Sequence, residues 1–252
     1  MKFTKKQIER YSRQIILKKI GTAGQKKLLN SSVLIVGAGG LGSPVAIYLA
    51  ALGIGKIGII DKDKIEMSNL SRQVIFTTHD LKKNKSSIAI KKIKKINPDI
   101  KVKSFNTILN VKNINKIAKN YDLIVDGSDN FRTRFTINDY CLKTKKILVS
   151  GAISKFDGQV YTFNFSNKKS PCLRCFIPTM PTNPDVDNCE YEGVLGPLGG
   201  IIGSIQANEV VKEVLQIGTT LCGYILIINA LTLNFRKVKL NKRLDCYCNN
   251  EK

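Results

Sequence analysis

A doubly wound α/β sheet that gives way to antiparallel strands towards the C-terminus is the fold this 252-residue sequence predicts. Three observations carry the prediction. Short, wholly apolar runs such as Val33–Val36 suit parallel strands covered on both faces. Up to Gly151 such runs alternate with segments of helical period, the pattern of βαβ units. Beyond Gly151, Gln159–Phe165 alternates apolar with polar residues, as a half-exposed antiparallel strand does.

Taken in order, residues 5–30 read as helical, with Ile8, Tyr11, Ile15 and Ile16 among basic positions. Val33–Val36 is the first strand. The run Gly37-Ala38-Gly39-Gly40-Leu41-Gly42 follows it and opens a helix that reaches about Leu52, where Gly53 is a stop signal. Lys56–Asp61 reads as a strand ending in an acid. Ser86–Ile96 reads as a helix halted by Asn97-Pro98, where the residue before proline disfavours helical backbone. Val102–Phe105 is a strand, Asn113–Lys119 a helix, Leu123–Asp126 a strand, Asn130–Lys143 a helix and Ile147–Ser150 a strand. Residues 166–195 hold four of the seven prolines and read as a long loop, a feature usually tied to function or disorder. Ile201–Ile217 reads as a helix, and Tyr224–Asn229 and Leu233–Leu240 as closing strands. With no internal repeat and no linker, residues 1–252 read as one domain.

Composition excludes several classes. At 43% hydrophobic and 24% charged residues the chain is neither disordered nor fibrous. No apolar run approaches the length of a membrane span, and no apolar stretch follows the lysines of Met1–Gln7, so a soluble, cytoplasmic protein is expected. The balance of 41 basic against 19 acidic residues gives +22, yet the cations are overwhelmingly lysines spread along helical segments. They do not interleave with aromatics or arginine, so the charge reads as compositional rather than as a nucleic-acid surface. Seven cysteines without a secretory signal argue against a disulfide framework. The paired spacings Cys172-x-x-Cys175 and Cys246-x-Cys248 stand out instead. Cys141 reads as a buried helix residue and Cys222 as a packing residue.

Gly37-x-Gly39-x-x-Gly42, between strand and helix, is a phosphate-binding loop: glycines permit the turn and close backbone approach, and the helix N-terminus attracts the anion. Asp61, 24 residues after Gly37, stands where ribose hydroxyls would be accepted. The single histidine, His79, lies in a polar loop and reads as exposed, which weakens the nicotinamide-dependent oxidoreductase that such a loop suggests by default. Asp61-x-Asp63, Ser68-Asn69, Arg72-Gln73 and Lys85 supply amide donors and two cations, a set suited to a triphosphate whose charge grows on a leaving pyrophosphate. Asp126-Gly127-Ser128-Asp129-Asn130 closes a strand at the carboxyl edge of the sheet, where a carboxylate could hold Mg²⁺.

Together with Arg10-Tyr11-Ser12-Arg13-Gln14, the Pro171-Cys172-Leu173-Arg174-Cys175 run and the late cysteine pair, these motifs resemble the ThiF/MoeB/HesA adenylyltransferases, bacterial relatives of ubiquitin-activating enzymes, along nearly the whole chain. The resemblance implies a homodimeric Rossmann-like domain that uses ATP to adenylate the C-terminal Gly-Gly carboxylate of a ubiquitin-like sulfur-carrier protein, for thiamine or molybdopterin synthesis. By matching position it implies that Gly37, Gly39, Gly40 and Gly42 line the ATP site and Asp61 holds the ribose. Asp63 and Gln73 border the nucleotide, Ser68, Asn69, Arg72 and Lys85 contact the phosphates, and Asp129 binds Mg²⁺ beside Asn130. Arg13 would reach the triphosphate of the neighbouring subunit. Cys172, Cys175, Cys246 and Cys248 match a four-thiolate Zn²⁺ site, although the second pair is CxC where CxxC is usual. Cys189 falls where some members carry a sulfur-transfer or thioester cysteine. On this reading residues 1–30 form a helical arm, 31–151 the nucleotide-binding half, and 152–252 the part bearing carrier-binding, crossover-loop and zinc functions. The chain stops soon after Cys248, so sulfur is expected from a separate sulfurtransferase or cysteine desulfurase. A non-catalytic half of an activating enzyme is the rival from another class; it would be expected to lack the phosphate-binding cations that Arg13, Arg72 and Lys85 retain.

Overall fold

A computed structural model describes residues 3–181 and 193–249. Eight strands form one sheet: β1 Ser32–Val36, β2 Lys56–Ile60, β3 Lys101–Phe105, β4 Leu123–Asp126, β5 Ile147–Ser154, β6 Asp157–Asn164, β7 Tyr224–Asn229 and β8 Asn234–Lys239. Their order is β3-β2-β1-β4-β5-β6-β7-β8. The β3 to β5 portion is parallel, and β5 to β8 is an antiparallel meander. Strand order therefore reverses at β1 and β4, the crevice where doubly wound sheets bind ligands.

Among the described residues the helices are α1 Lys5–Ile15, α2 Gly21–Asn30, α3 Gly42–Leu52, α4 Lys85–Ile96, α5 Ile114–Ala118, α6 Phe131–Lys143, α7 Leu173–Phe176 and α8 Gly196–Leu215. One apolar core lies between the sheet and α2, α3, α4 and α8; a second lies between the sheet and α5, α6 and α7. Covered on both sides, β1 can be apolar throughout, and all five of its residues are buried. Among the described residues no helix is long and apolar enough to cross a membrane.

Four expectations are corrected. Residues 5–30 form two helices, because the chain turns after Ile16 and restarts at Gly21, whose φ of +58° suits glycine. The fifth strand runs on past Ser150 to Ser154, since its register with β6 continues through Gly151↔Val160 to Ser154↔Asp157. β6 is not half-exposed: Val160, Tyr161, Thr162 and Phe163 are all buried, because α8 covers one face and the aromatic side chains fill the other. The last helix begins at Gly196, five positions before the first apolar pair, with its glycines packed rather than looped. Within the proline-rich stretch, α7 is a short helix bearing Cys175.

Candidate functional site

The glycine loop sits at the carboxyl end of β1, with α3 opening directly from it. Gly37 has φ +88°, and a Cβ there would stand 2.7 Å from the Gly127 carbonyl. At Gly42 a Cβ would stand 1.8 Å from the Gly37 carbonyl, so the turn closes only on glycine. Gly39 and Gly40 are looser: their nearest neighbours would be the Gln73 amide nitrogen at 3.7 Å and the Arg72 stem at 3.6 Å. Arg72 and Gln73 of the expected second arc are therefore brought against the loop by the fold.

Asp61 follows β2 and is half-buried. One carboxylate oxygen accepts the Ala38 amide and the other the Asp63 amide, each at 2.8 Å. Burial raises its pKa, and those two amides with Lys85 oppose the rise. Asp61 thus ties β2 to the glycine loop while each oxygen keeps a further lone pair. Lys85, the first residue of α4, is buried; its amide donates to the Asp63 carbonyl at 2.9 Å and its Nζ lies 3.4 Å from the Asp63 carboxylate.

Between them runs a 3₁₀ turn, Met67–Asn69. Asn69 is buried and its Oδ1 accepts the Glu66 amide at 3.2 Å. The Ser68 side chain is exposed, and its carbonyl accepts Arg72 Nη1 at 3.1 Å. Gln73 is 3% exposed, and its Oε1 has no partner among the described residues. It is the Gln73 Nε2 donor, not this acceptor, that stands nearest Gly39.

On the other side, the β4 carboxyl end carries Asp126 and Asp129, and the structure separates them. Asp126 is buried: Oδ1 accepts the Ser128 amide at 3.0 Å and Ser128 Oγ at 2.6 Å, and Oδ2 accepts Ser150 Oγ at 2.7 Å. Its acceptors are spent on shaping the turn. Asp129 is exposed, contacted by Asn130 Nδ2 at 3.2 Å, while Asn130 Oδ1 caps α6 through the Thr133 amide at 2.9 Å. A solvated carboxylate of this kind fits Mg²⁺, which is held by few acids plus substrate phosphates.

Arg13 is not brought to the loop. Helix α1 docks at the far end of α3, where Gln14 donates to the Leu52 carbonyl and buried Tyr11 receives an Asn97 Nδ2 hydrogen bond at 2.9 Å. That leaves exposed Arg13 roughly one α3 length, about 16 Å, from the loop of its own chain. His79 is exposed, as expected. Cys189 lies outside the described residues.

The sequence left several contributors unmarked. Gly196 and Gly199 let α8 abut the loop: a Cβ would stand 2.4 Å from the Ser71 carbonyl and 2.8 Å from the Gly40 carbonyl respectively. Gln206 of α8 donates to the Asp126 carbonyl at 2.8 Å. Pro197 in the first turn of α8 was the available signal for an earlier helix start.

The four paired cysteines converge beside the middle of α6. All are buried, with their Sγ atoms within 4.8 Å of one another. Cys172–Cys246 and Cys175–Cys248 stand at 3.6 Å and Cys172–Cys175 at 4.0 Å. Zinc–sulfur bonds of about 2.3 Å in a tetrahedron set sulfurs about 3.8 Å apart, so the quartet fits such an ion. The CxC pair meets the geometry because Tyr247–Asn249 is a 3₁₀ turn. Burial and the neighbouring sulfurs hold the Cys172 and Cys248 thiols up, Cys248 to about 12. Four thiolates are therefore unfavourable together unless a cation compensates them. Cys141 is buried in α6 and Cys222 is half-buried with its sulfur 3.6 Å from Ser170 Oγ, both as expected.

Comparison with known proteins agrees with this arrangement. The ThiF family model matches residues 11–250. The sulfur carrier protein adenylyltransferase of Thermus thermophilus is 42% identical over 98% of this chain and 92% of its own length. A probable molybdopterin-synthase adenylyltransferase of Porphyra purpurea is 48% identical over 92% of the chain, and the adenylyltransferase and sulfurtransferase MOCS3 of Dictyostelium discoideum 44% over 93%. The chain spans 60% and 55% of those two longer relatives. Escherichia coli MccB, in a crystal structure with ATP, superposes with a TM-score of 0.82 at 24% identity, over 96% of this chain and 73% of that one, a likeness of fold. With a family match spanning the glycine loop, the polar arc and the cysteine quartet, the chain belongs to the ThiF family.

Proposed function

We propose that this protein is an adenylyltransferase that joins AMP from ATP to the C-terminal Gly-Gly carboxylate of a ubiquitin-like sulfur-carrier protein, for thiamine or molybdopterin sulfur transfer. The observation that carries the reading is that Asp61, Arg72 and the Gln73 Nε2 donor lie against the glycine loop, with Lys85 beside Asp63, two residues from Asp61. The Thermus thermophilus sulfur carrier protein adenylyltransferase, matched along nearly all of both chains, supports the same activity.

In this reading the backbone of Gly37–Gly42 and the α3 N-terminus receive phosphate oxygens. Asp61 accepts from the ribose through its free lone pairs, with Asp63 holding Lys85 beside it. Ser68, Asn69, Arg72, Gln73 and Lys85 face the phosphates. Asp129, steadied by Asn130, holds Mg²⁺, which neutralises phosphate charge. A carrier carboxylate oxygen attacks the α-phosphorus; the new O–P bond forms as the bond to the bridging oxygen breaks, and the electron pair departs with pyrophosphate. No general base is required, since a C-terminal carboxyl is ionised above about pH 3.5. Catalysis is then positioning and charge stabilisation, work for Arg72 and Lys85. Arg13 serves the site of a second copy in a homodimer, which accords with its distance from the loop of its own chain. Cys172, Cys175, Cys246 and Cys248 hold Zn²⁺ as a closed structural site, and Cys189 takes part in sulfur loading from a separate sulfurtransferase or cysteine desulfurase.

The test is ATP–pyrophosphate exchange with candidate Gly-Gly carriers of the thiamine and molybdopterin branches. Exchange requiring both a carrier and Mg²⁺ is the expected result, and the carrier that supports it assigns the branch. Carrier-independent exchange, or none from a protein that binds ATP, would overturn the carrier assignment.

A further inference from the structure

The nucleotide turn meets the N-terminal turn of α6 and the cysteine pair Cys172/Cys175 meets the middle of the same helix, and one stripe of it reaches both. Asn130, Arg134 and Asn138 recur at four-residue spacing and so share a face. In the N-terminal turn of α6, Arg134 is 8% exposed and donates Nη2 to the Ser128 carbonyl at 2.6 Å and Nη1 to the Tyr161 hydroxyl at 3.2 Å. It thereby holds the residue before Asp129. One turn further on, Asn138 is wholly buried, its Oδ1 accepts the Leu173 amide at 2.8 Å and its Nδ2 donates to Asp139 Oδ1 at 3.0 Å. The neighbouring Asp139 receives Arg174 Nε at 2.9 Å and Nη2 at 2.7 Å. Leu173 and Arg174 are the two residues between Cys172 and Cys175. Both intervening residues of the first cysteine pair are therefore fastened to α6 rather than to the sheet.

We propose that Arg134 and Asn138 are positioning residues that make α6 a stiff link between the quartet and the Asp129 turn, so that an ion in the quartet and Mg²⁺-nucleotide at the loop favour one another. The proposal rests on the assignments of ATP to the glycine loop and Zn²⁺ to the quartet made above. The physical ground is that Arg134 and Asn138 stand one turn apart, roughly 6 Å along α6, so a close-packed core moves them as one body. Both polar anchors are buried hydrogen bonds that tolerate little displacement. Coupling of this kind is reciprocal. A quartet that grips α7 sets the height of α6 and with it Ser128 and Asp129; a nucleotide that fixes Asp129 steadies α7 in turn.

The experiment measures the rate at which the purified full chain releases zinc to a chromogenic chelator, with and without Mg²⁺ and a non-hydrolysable ATP analogue. Nucleotide is expected to slow release about fivefold, the lower end of ordinary coupling. Asn138→Ala keeps all four thiols yet should bring the ratio of the two rates to near one. Arg174→Met supplies a second cut of the link, with an intermediate ratio expected, should Asn138→Ala not fold. An unchanged ratio in Asn138→Ala and in Arg174→Met, or equal release rates in a wild-type protein that calorimetric titration shows to bind the analogue, overturns the link. A wild-type protein that binds no analogue, or that purifies without zinc, refutes the underlying site assignments instead.

Discussion

Asp126→Ala should destabilise the protein by about 3–4 kcal/mol, although Asp126 touches no ligand in the proposed reaction. The figure follows from what its buried carboxylate accepts: the Ser128 amide at 3.0 Å, Ser128 Oγ at 2.6 Å and Ser150 Oγ at 2.7 Å. A hydrogen bond to a charged acceptor contributes about 1.5–3 kcal/mol, and an orphaned buried amide costs about 1–3. The two hydroxyls can rotate to other acceptors and lose roughly 0.5–1 kcal/mol each. At about 2–4 °C per kcal/mol for a chain of this size, the melting temperature should fall by roughly 10 °C. Asp126→Asn keeps one acceptor oxygen and should lose only about 1 kcal/mol, or about 3 °C. Differential scanning fluorimetry reads both, and calorimetry should show ATP binding weakened in Asp126→Ala, because Asp129 rides on the same turn. A melting temperature for Asp126→Ala within about 3 °C of wild type would refute the reasoning, since the buried network would then contribute almost nothing.

Other outcomes follow from the same structure. Asp129→Ala should abolish carrier-dependent exchange with the melting temperature unchanged within about 2 °C, since an exposed carboxylate contributes little to stability; retained turnover would remove its Mg²⁺ role. Cys172→Ser should lower zinc content and melting temperature together, measured by plasma emission and fluorimetry, and unchanged zinc stoichiometry would disprove the four-thiolate site. Burial raises the pKa of Asp80, but Lys92 and the Thr77 hydroxyl and amide outweigh it and bring it down to about 2. The stability this confers is present above an unfolded pKa near about 3.9 and is lost as pH falls through about 2, so the urea-melt difference between wild type and Asp80→Asn should shrink across that window. A difference that stays constant across it would contradict the assignment. Cys189→Ala should spare exchange but weaken sulfur loading in an assay with a sulfur donor, and unimpaired loading would make the thiol a bystander.

Much of this protein is written locally. Wholly apolar Val33–Val36, the glycine run after it and the stop at Gly53 announced strand, turn and helix, because burial on both faces, positive φ and left-handed capping are demands that neighbouring residues satisfy among themselves. The polar arc from Asp61 to Lys85 was legible for the same reason, since its residue types suit phosphate wherever they fold. Tertiary structure decided what depends on partners far along the chain. Whether Asp126 or Asp129 faces solvent turned on Ser150 and Gln206, which no local pattern couples to β4. That Gly151 continues a strand and Gly196 opens a helix depended on the close approach of Gln206 in one case and the Ser71 carbonyl in the other. That Cys-Tyr-Cys can complete a tetrahedral quartet was decided by a 3₁₀ turn arriving opposite α7, some 70 residues away in sequence. The distance of Arg13 from the loop of its own chain likewise came from α1 docking on the far end of α3. Periodicity and spacing report which side chains share a face; only packing reports which faces meet.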